Sequence, residues 1–138
     1  MTESESSPYL LDTSAILTLI EDEPGADRVD ELVRAGEALL PFMAGLETYY
    51  ISLREAGADE ADRRLCLLHQ LPVRWLNTVG EAVLVRAGHF KTRHRISLAD
   101  SLIAAFAAEA GAVLVHKDPE YEALNDVPQE CLPYKGRE

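Results

Sequence analysis

Short apolar runs alternate along the chain with longer segments whose apolar residues recur at helical spacing. The runs at residues 8–12 and 112–118 are almost continuously apolar, which is typical of strands buried on both faces. Shorter runs at residues 37–42 and 73–79 predict two more strands, and residues 129–134 predict a last edge strand.

The intervening segments predict helices. Their helical periods cover residues 14–21, 23–36, 43–56, 59–71 and 81–95. The strongest helical pattern begins at Ser97, which is a good N-cap, and ends at Gly111, which is a good C-terminal residue. Strands that alternate with helices, and that are apolar throughout, predict an α/β fold whose mostly parallel central sheet carries helices on both faces.

The size of the chain fits one domain. Its 138 residues are 47% hydrophobic, which suffices for a core, whereas the acidic and hydroxyl-rich residues 1–7 predict a disordered tail before a single domain at residues 8–138. There is no secretory signal pattern and no apolar run that could cross a membrane, so we expect a cytoplasmic protein. Cys66 and Cys131 lack metal-binding spacing, and we expect two reduced, partly buried thiols.

The charge constrains the partners. Twenty-four acidic and thirteen basic residues give a net charge of −11, which repels nucleic acid at long range. A nucleic-acid function would therefore need a local basic patch or a bound cation.

Two aspartates follow the two most apolar strands. Asp12 ends the first predicted strand and Asp118 ends the fourth. Because ligands bind at the carboxyl ends of parallel strands, the pair predicts a site at one edge of the sheet. Taken singly, each has a structural alternative: Asp12 as a helix cap, and Asp118 as the start of an Asp-Pro turn.

Two more acids lie close to apolar helix faces. Asp100 is three residues after Ser97, so it fits a capping box at a helix N-terminus, and it is flanked by apolar residues one turn away. Glu47 lies among apolar helical neighbours, although an exposed position at the helix edge is an equal alternative. If the four acids converge, they repel one another, and a hard cation such as Mg²⁺ or Mn²⁺ is the natural neutraliser. The chemistry that follows is hydrolysis of a phosphodiester by a metal-activated water.

Four segments, in this order, resemble a PIN-domain ribonuclease of the VapC toxin type. They are "LLDTSAIL", "MAGLETYY", "HRISLADSLIAAFAAEAG" and "AVLVHKD", which carry Asp12, Glu47, Asp100 and Asp118. The resemblance implies a three-layer α/β/α PIN-like fold and a Mg²⁺- or Mn²⁺-dependent endoribonuclease. It implies that all four acids are catalytic, with the three aspartates as metal ligands. It also implies neutralisation by a cognate antitoxin protein and a homodimer.

Residues beside these acids are expected to support them. Thr13 and Ser14 match the first motif and could orient the Asp12 carboxylate, although Ser14 could equally cap a helix. His116 stands where the family commonly has Ser or Thr, and a histidine can also hold a carboxylate or water by hydrogen bond. Glu120 and Glu122 are nearby acids that could substitute for Asp118 or assist it, although a solvated turn is the better expectation for both.

One basic segment precedes the Asp100 helix. It contains four cations that could contact RNA phosphates: Arg86, Lys91, Arg93 and Arg95. A solvated helix C-terminus is a comparable explanation.

Other functions fit less well. A dinucleotide-binding domain would need a glycine-rich turn after the first strand, and an aspartate-nucleophile phosphatase would need Asp where Ser14 stands. A catalytically weak RNA- or protein-binding module remains the alternative, with the substitution at His116 in its favour.

Overall fold

The computed structural model describes residues 7–134. Its core is a five-stranded sheet. In chain order the strands are β1 (Tyr9–Leu11), β2 (Ala38–Pro41), β3 (Arg74–Leu76), β4 (Val113–His116) and β5 (Gln129–Cys131). The spatial order is β3-β2-β1-β4-β5, and every neighbouring pair is parallel. The predicted parallel α/β architecture is confirmed.

Helices flank this sheet in a three-layer α/β/α arrangement. They are α1 (Thr13–Ile20), α2 (Ala26–Arg34), α3 (Phe42–Ala56), α4 (Ala58–Gln70), α5 (Glu81–Arg93) and α6 (Leu98–Ala110), followed by a 3₁₀ turn at Pro119–Ala123. None of the helices within residues 7–134 is long and apolar enough to span a membrane.

Two helices are shorter than predicted for backbone reasons. The second begins at Ala26 because Gly25 adopts φ +101°, outside the helical region, and so separates the helix from the preceding Glu-Pro pair. The fifth ends at Arg93 because His94 is already extended. The predicted strand at residues 73–79 shrinks to the three residues of β3.

The centre of the sheet explains the continuous apolar runs. Leu10 in β1, Leu40 in β2 and Leu114 in β4 have no exposed surface, since helices cover both faces of these strands. Burial of each such side chain contributes about 1.5–3 kcal/mol to the transfer free energy. The sequence pattern that predicted the strands is therefore the pattern of the core.

Strand β1 is the point at which the sheet order reverses. The chain leaves β1 towards β2 on one side, while β4 pairs with β1 on the other, with Leu11 opposite Val115. The backbone N–H of Asp12 donates to the carbonyl of Val115, so the carboxyl ends of the two strands are level. Crevices of this kind are the usual ligand sites of open parallel sheets.

A close approach fixes helix α3 against the sheet edge. A Cβ on Gly45 would lie only 2.7 Å from the Trp75 ring, so only glycine permits this packing. Glu47 follows two residues later and is thereby held near the carboxyl end of β1.

Two predictions concern regions away from the sheet. Residues 1–6 of the predicted tail lie outside the described residues. Cys66 and Cys131 are free, as expected, but both are exposed, so the prediction that they are partly buried is wrong.

Candidate active site

An open groove of about 300 Å³ lies at the carboxyl ends of β1 and β4. Its lining contains the four acids predicted from the sequence and one more, together with hydroxyl and apolar residues: Asp12, Thr13, Ser14, Leu17, Glu47, Ile51, Ser97, Asp100, Asp118 and Glu120. The structure therefore brings the four predicted carboxylates together in one place. Their metal-binding and catalytic roles remain predictions.

Asp12 is buried and also caps a helix. Only 2% of its surface is exposed, and its Oδ1 accepts hydrogen bonds from the backbone N–H of Ala15 at 2.8 Å and from the hydroxyl of Ser14 at 2.7 Å. It is thus the N-cap of α1. The two interpretations of Asp12, as a cap and as part of a site, are both compatible with its position.

Ser14 joins the two central strands instead of capping a helix. Its Oγ donates to Asp12 and accepts from the backbone N–H of Lys117 at 2.8 Å. The alternative that Ser14 is an N-cap is wrong, because α1 already begins at Thr13 with Asp12 as its cap. Ser14 orients the Asp12 carboxylate, as its match to the family motif suggested.

Glu47 is held by the neighbouring hydroxyl. Thr13 Oγ1 donates to Glu47 Oε1 at 2.5 Å, across from α1 to α3. This bond turns the carboxylate towards the groove and fixes its distance from Asp12.

Asp100 lies in the first turn of α6, where Ser97 is the N-cap and accepts from the Asp100 backbone N–H at 3.0 Å. The side chain accepts a hydrogen bond at Oδ1 from the hydroxyl of Tyr121, also at 3.0 Å. Tyr121 has no exposed surface, so this donor is fixed in place. The half of the predicted capping box that involves Ser97 is present, while the carboxylate is directed to Tyr121.

The 3₁₀ turn after β4 adds an acid that the sequence analysis assigned to a solvated turn. Asp118 caps the turn by accepting from the backbone N–H of Glu120 at 2.9 Å. One carboxylate oxygen each from Asp100, Asp118 and Glu120 lies within 4.8 Å of the others. Glu120 is exposed, but it belongs to this cluster. The signal that could have found it is its closeness in the chain to Asp118, which it follows by two residues.

His116 is buried at the end of β4. Its Nδ1 accepts from the backbone N–H of Asp118 at 3.0 Å, and its Nε2 lies 2.9 Å from Gln129 Oε1. Burial lowers the pKa of His116 below its ordinary value, which favours the neutral ring. A histidine thus supplies the hydrogen bond to the backbone of Asp118 that a hydroxyl could have supplied.

The pKa values of two acids in the groove are raised, mainly because the groove is partly shielded from water and also because the acids lie close together. Burial raises the pKa of Asp12 to about 7, and the charges of Asp118 and Glu47 add to the effect. Burial is also the main reason that the pKa of Asp100 is raised to about 8, and the hydrogen bond with Glu120 is the second. Both carboxyls are therefore partly protonated near neutral pH when no cation is present.

The lysines and arginines within residues 7–134 do not balance these charges. Among residues 7–134, no Lys or Arg forms an ion pair with any of the five carboxylates of the groove. The nearest lysine in the sequence, Lys117, points to Glu23 and the carbonyl of Pro24 instead. A cluster of carboxylate oxygens with no cationic partner is the donor set that Mg²⁺ and Mn²⁺ prefer, so the residues fit a divalent cation.

The predicted basic segment is only partly available for phosphate. Arg86 is paired with Glu109 near the far end of α6 from Asp100, and Lys91 Nζ donates to the carbonyl of Ile96. Arg93 lines a different groove, between α5 and α6, whereas Arg95 is exposed two residues before Ser97. Arg95 is thus the predicted cation that is closest in the chain to the acidic groove.

Comparison with known proteins identifies the family. The PIN domain family model matches residues 9–127, and the chain belongs to this family. No curated protein sequence matches the chain significantly.

Solved structures share the fold at low sequence identity. VapBC2 from Rickettsia felis, bound to a DNA fragment from its promoter, has a TM-score of 0.75 at 16% identity and covers 90% of this chain and 98% of its own. VapBC-1 from nontypeable Haemophilus influenzae has a TM-score of 0.70 at 23% identity, covering 89% and 96%. VapC20 from Mycobacterium tuberculosis, described as a sarcin–ricin loop cleaving toxin, has a TM-score of 0.69 at 17% identity, covering 85% and 95%. The PIN fold expected from the sequence motifs is confirmed.

Proposed function

We propose that this protein is a VapC-type toxin, a metal-dependent endoribonuclease that a cognate antitoxin restrains. The observation that carries the proposal is the groove at the topological switch point. Three of its carboxylates lie within 4.8 Å of one another, beside a buried Asp12, and none of the five acids pairs with a cation among residues 7–134. Membership of the PIN family and the toxin–antitoxin structures that share the fold support the same function.

The acids of the groove have different proposed roles. Asp12, Asp100 and Asp118 would hold Mg²⁺ or Mn²⁺, and Glu120 is placed to join them. The bound cation supplies a lowered pKa for a coordinated water and charge neutralisation at a phosphate. Glu47, held by Thr13, is positioned at the groove edge to accept a proton or to bind a further cation. Because their pKa values are raised, the Asp12 and Asp100 carboxyls would have to release protons in order to hold a cation, so its affinity would rise with pH.

The substrate is proposed from the family and from the chemistry of the site. A carboxylate-held cation binds phosphate oxygens, and VapC20, which shares the fold, is a sarcin–ricin loop cleaving toxin. The net charge of −11 requires that RNA be held mainly through the cation and through local basic residues such as Arg95.

The antitoxin surface is proposed on helix α3. Leu46, Tyr50 and Leu53 are 51%, 44% and 40% exposed and recur at helical spacing, so they form an apolar stripe open to solvent. The same helix carries Glu47 and Ile51 into the groove lining. A partner that covers the stripe would therefore lie beside the acids, where a basic side chain could neutralise them. The homodimer and the cytoplasmic location stay predictions.

The test is cleavage of RNA by purified, antitoxin-free protein in EDTA, Mg²⁺ or Mn²⁺. Wild-type protein and a Glu122→Gln variant, which changes an exposed acid of the same turn outside the acidic cluster, should cleave only with the cation. Asp100→Asn should abolish cleavage, because it removes the charge of a cation ligand while retaining its shape. Glu120→Gln should weaken the affinity for the cation, so that half-maximal activity requires a higher Mn²⁺ concentration.

Two outcomes would contradict the proposal. Cleavage that survives EDTA or the Asp100→Asn change would show that the acidic groove is not the active site. A folded wild-type protein that cleaves no RNA with either cation, yet binds RNA, would favour the catalytically weak binding module.

A further inference from the structure

The 3₁₀ turn that carries Glu120, with Asp118 as its cap, is held at both ends by two polar side chains, the buried His116 and the half-buried Gln129. At its start, His116 Nδ1 accepts from the backbone N–H of Asp118 at 3.0 Å. At its end, the amide of Gln129 donates to the carbonyls of Tyr121 and Leu124 at 2.7 and 2.9 Å. The two side chains meet each other at 2.9 Å. We call this pair the His116–Gln129 clamp.

The hydrogen bonds of the clamp determine which ring nitrogen of His116 carries the proton. The carbonyls of Tyr121 and Leu124 can only accept, so the NH₂ group of Gln129 must face them and its Oε1 must face the histidine. That oxygen can only accept, so His116 Nε2 carries a proton. The Asp118 N–H can only donate, so Nδ1 carries none. Only the neutral ring protonated at Nε2 satisfies both of its partners, the Asp118 N–H and Gln129 Oε1.

The turn so held sets the geometry of the acidic cluster. Asp118 accepts from the Glu120 N–H, and Glu120 Oε1 faces the backbone N–H of Ser97 at 3.4 Å. Tyr121 packs its ring 4.9 Å from that of His116 and donates its hydroxyl to Asp100. Two acids of the cluster and the donor to the third thus belong to this 3₁₀ turn or to its cap. Its backbone position depends on the clamp.

We propose that His116 and Gln129 are positioning residues which, through this turn, fix Asp118, Glu120 and the Tyr121 hydroxyl around Asp100 for cation binding. The inference rests on the proposed function in that the cluster holds a divalent cation. A side chain that merely filled the core would be replaceable by an apolar residue of similar size. A clamp would not be, because residues that orient ligands typically account for a 10–100-fold effect on cation affinity or activity.

The first measurement uses metal-free protein. ¹⁵N NMR of the histidine side chains at neutral pH should show His116 with a protonated Nε2 and an unprotonated Nδ1. A ring protonated at Nδ1 would overturn the proposal, since it could not accept from Asp118.

The second measurement is Mn²⁺ affinity, by isothermal titration calorimetry, for variants shown to be folded by circular dichroism. His116→Leu removes both hydrogen bonds, and Gln129→Met removes all three of the glutamine; each should weaken Mn²⁺ binding about tenfold or more. His116→Asn places an oxygen where Nδ1 was and should recover most of the loss. His69→Leu is the matched control, because His69 is an exposed histidine that stacks on Trp75 at the β3 edge of the sheet. This variant should bind Mn²⁺ as tightly as wild type does.

The outcomes separate this inference from the proposed function. Equal Mn²⁺ affinity in wild type, His116→Leu and Gln129→Met would overturn the clamp while leaving the nuclease intact. If His116→Leu does not fold, His116→Asn and Gln129→Met decide the matter: the inference fails if Gln129→Met binds Mn²⁺ as tightly as wild type. Tight, clamp-dependent Mn²⁺ binding without any RNA cleavage would support the clamp and contradict the nuclease.

Discussion

Replacing Asp12 by Asn should stabilise the cation-free protein and destroy its response to cations. Asp12 is 2% exposed, lies near two other acids and has burial as the main cause of its raised pKa. An asparagine can keep both hydrogen bonds that Oδ1 accepts, from Ser14 and Ala15. Its NH₂ group can donate to the neighbouring carboxylates. The substitution therefore removes a buried charge and little else.

The size of the effect follows from linkage. The pKa of Asp12 is about 7 in the fold against 3.8 as its ordinary value, so folding holds its proton more tightly than the unfolded chain does. Its contribution to stability is present below pH 3.8 and is lost as the pH rises towards 7. At about 1.4 kcal/mol per pKa unit, the raised pKa of Asp12 destabilises the fold by about 4 kcal/mol at pH 8 and by about 2 kcal/mol at pH 5, relative to its stability at low pH. Asp12→Asn should therefore gain about 2 kcal/mol more over wild type at pH 8 than at pH 5.

The assay is urea unfolding in EDTA at both pH values, repeated at pH 8 with saturating Mg²⁺ or Mn²⁺. The cation should stabilise wild type, by about 2.7 kcal/mol at a hundred times the dissociation constant, and should leave the variant nearly unchanged. Asp126→Asn, at an exposed position, is the matched control and should show neither effect. A variant less stable than wild type at pH 8 in EDTA, or a stability difference that does not change with pH, would refute the reasoning.

Three further predictions test other parts of the structure. Thr13→Val should lower cation-dependent cleavage about tenfold, because Glu47 loses its only hydroxyl donor among the described contacts. Thr13→Ser keeps a hydroxyl and should retain activity in the same assay. Gly45→Ala should reduce the free energy of unfolding by about 1–3 kcal/mol, measured by urea, because the new Cβ would lie 2.7 Å from the Trp75 ring; no loss would show that α3 can shift freely. Arg95→Gln should make RNA affinity less salt-dependent, reducing the slope of log K against log salt by about 0.7. Arg86→Gln should not alter that slope, since Arg86 is already paired with Glu109, and equal slopes for both variants would exclude Arg95 as a phosphate contact.

The sheet and the four acids could be predicted because burial leaves a direct trace in the sequence. Strands such as β1 and β4 are covered on both faces and must be apolar throughout, so the first charge marks the strand end. Parallel pairing then places Asp12 and Asp118 at the same edge. Asp100 and Glu47 followed from acids placed close to apolar helix faces, and their order along the chain matched the PIN pattern.

The finer contacts could not be predicted because they depend on residues distant in the chain. Ser14 bonds to Lys117, 103 residues away, and this partner is invisible to any local capping rule. Glu120 joins the cluster only because its turn packs against the start of α6. His116 was identified as a departure from the family pattern, but its partner Gln129 lies on the next strand and carried no signal of its own.

The sequence alone could not decide whether an acid such as Asp12 is a helix cap or part of a site. In this fold the same carboxylate can be both. Three elements begin at the groove, namely α1, α6 and the 3₁₀ turn, and each has an aspartate in its cap or first turn. Their unpaired N–H groups and the positive ends of the helix dipoles favour carboxylates there, so the caps partly compensate the repulsion among the acids. At Asp12 both hydrogen bonds of the cap go to Oδ1, yet burial, with a smaller effect of the neighbouring acids, still keeps the pKa of this carboxyl high. Capping therefore lets the acidic groove fold without a cation, while the burial and the mutual repulsion of its carboxylates favour binding of one.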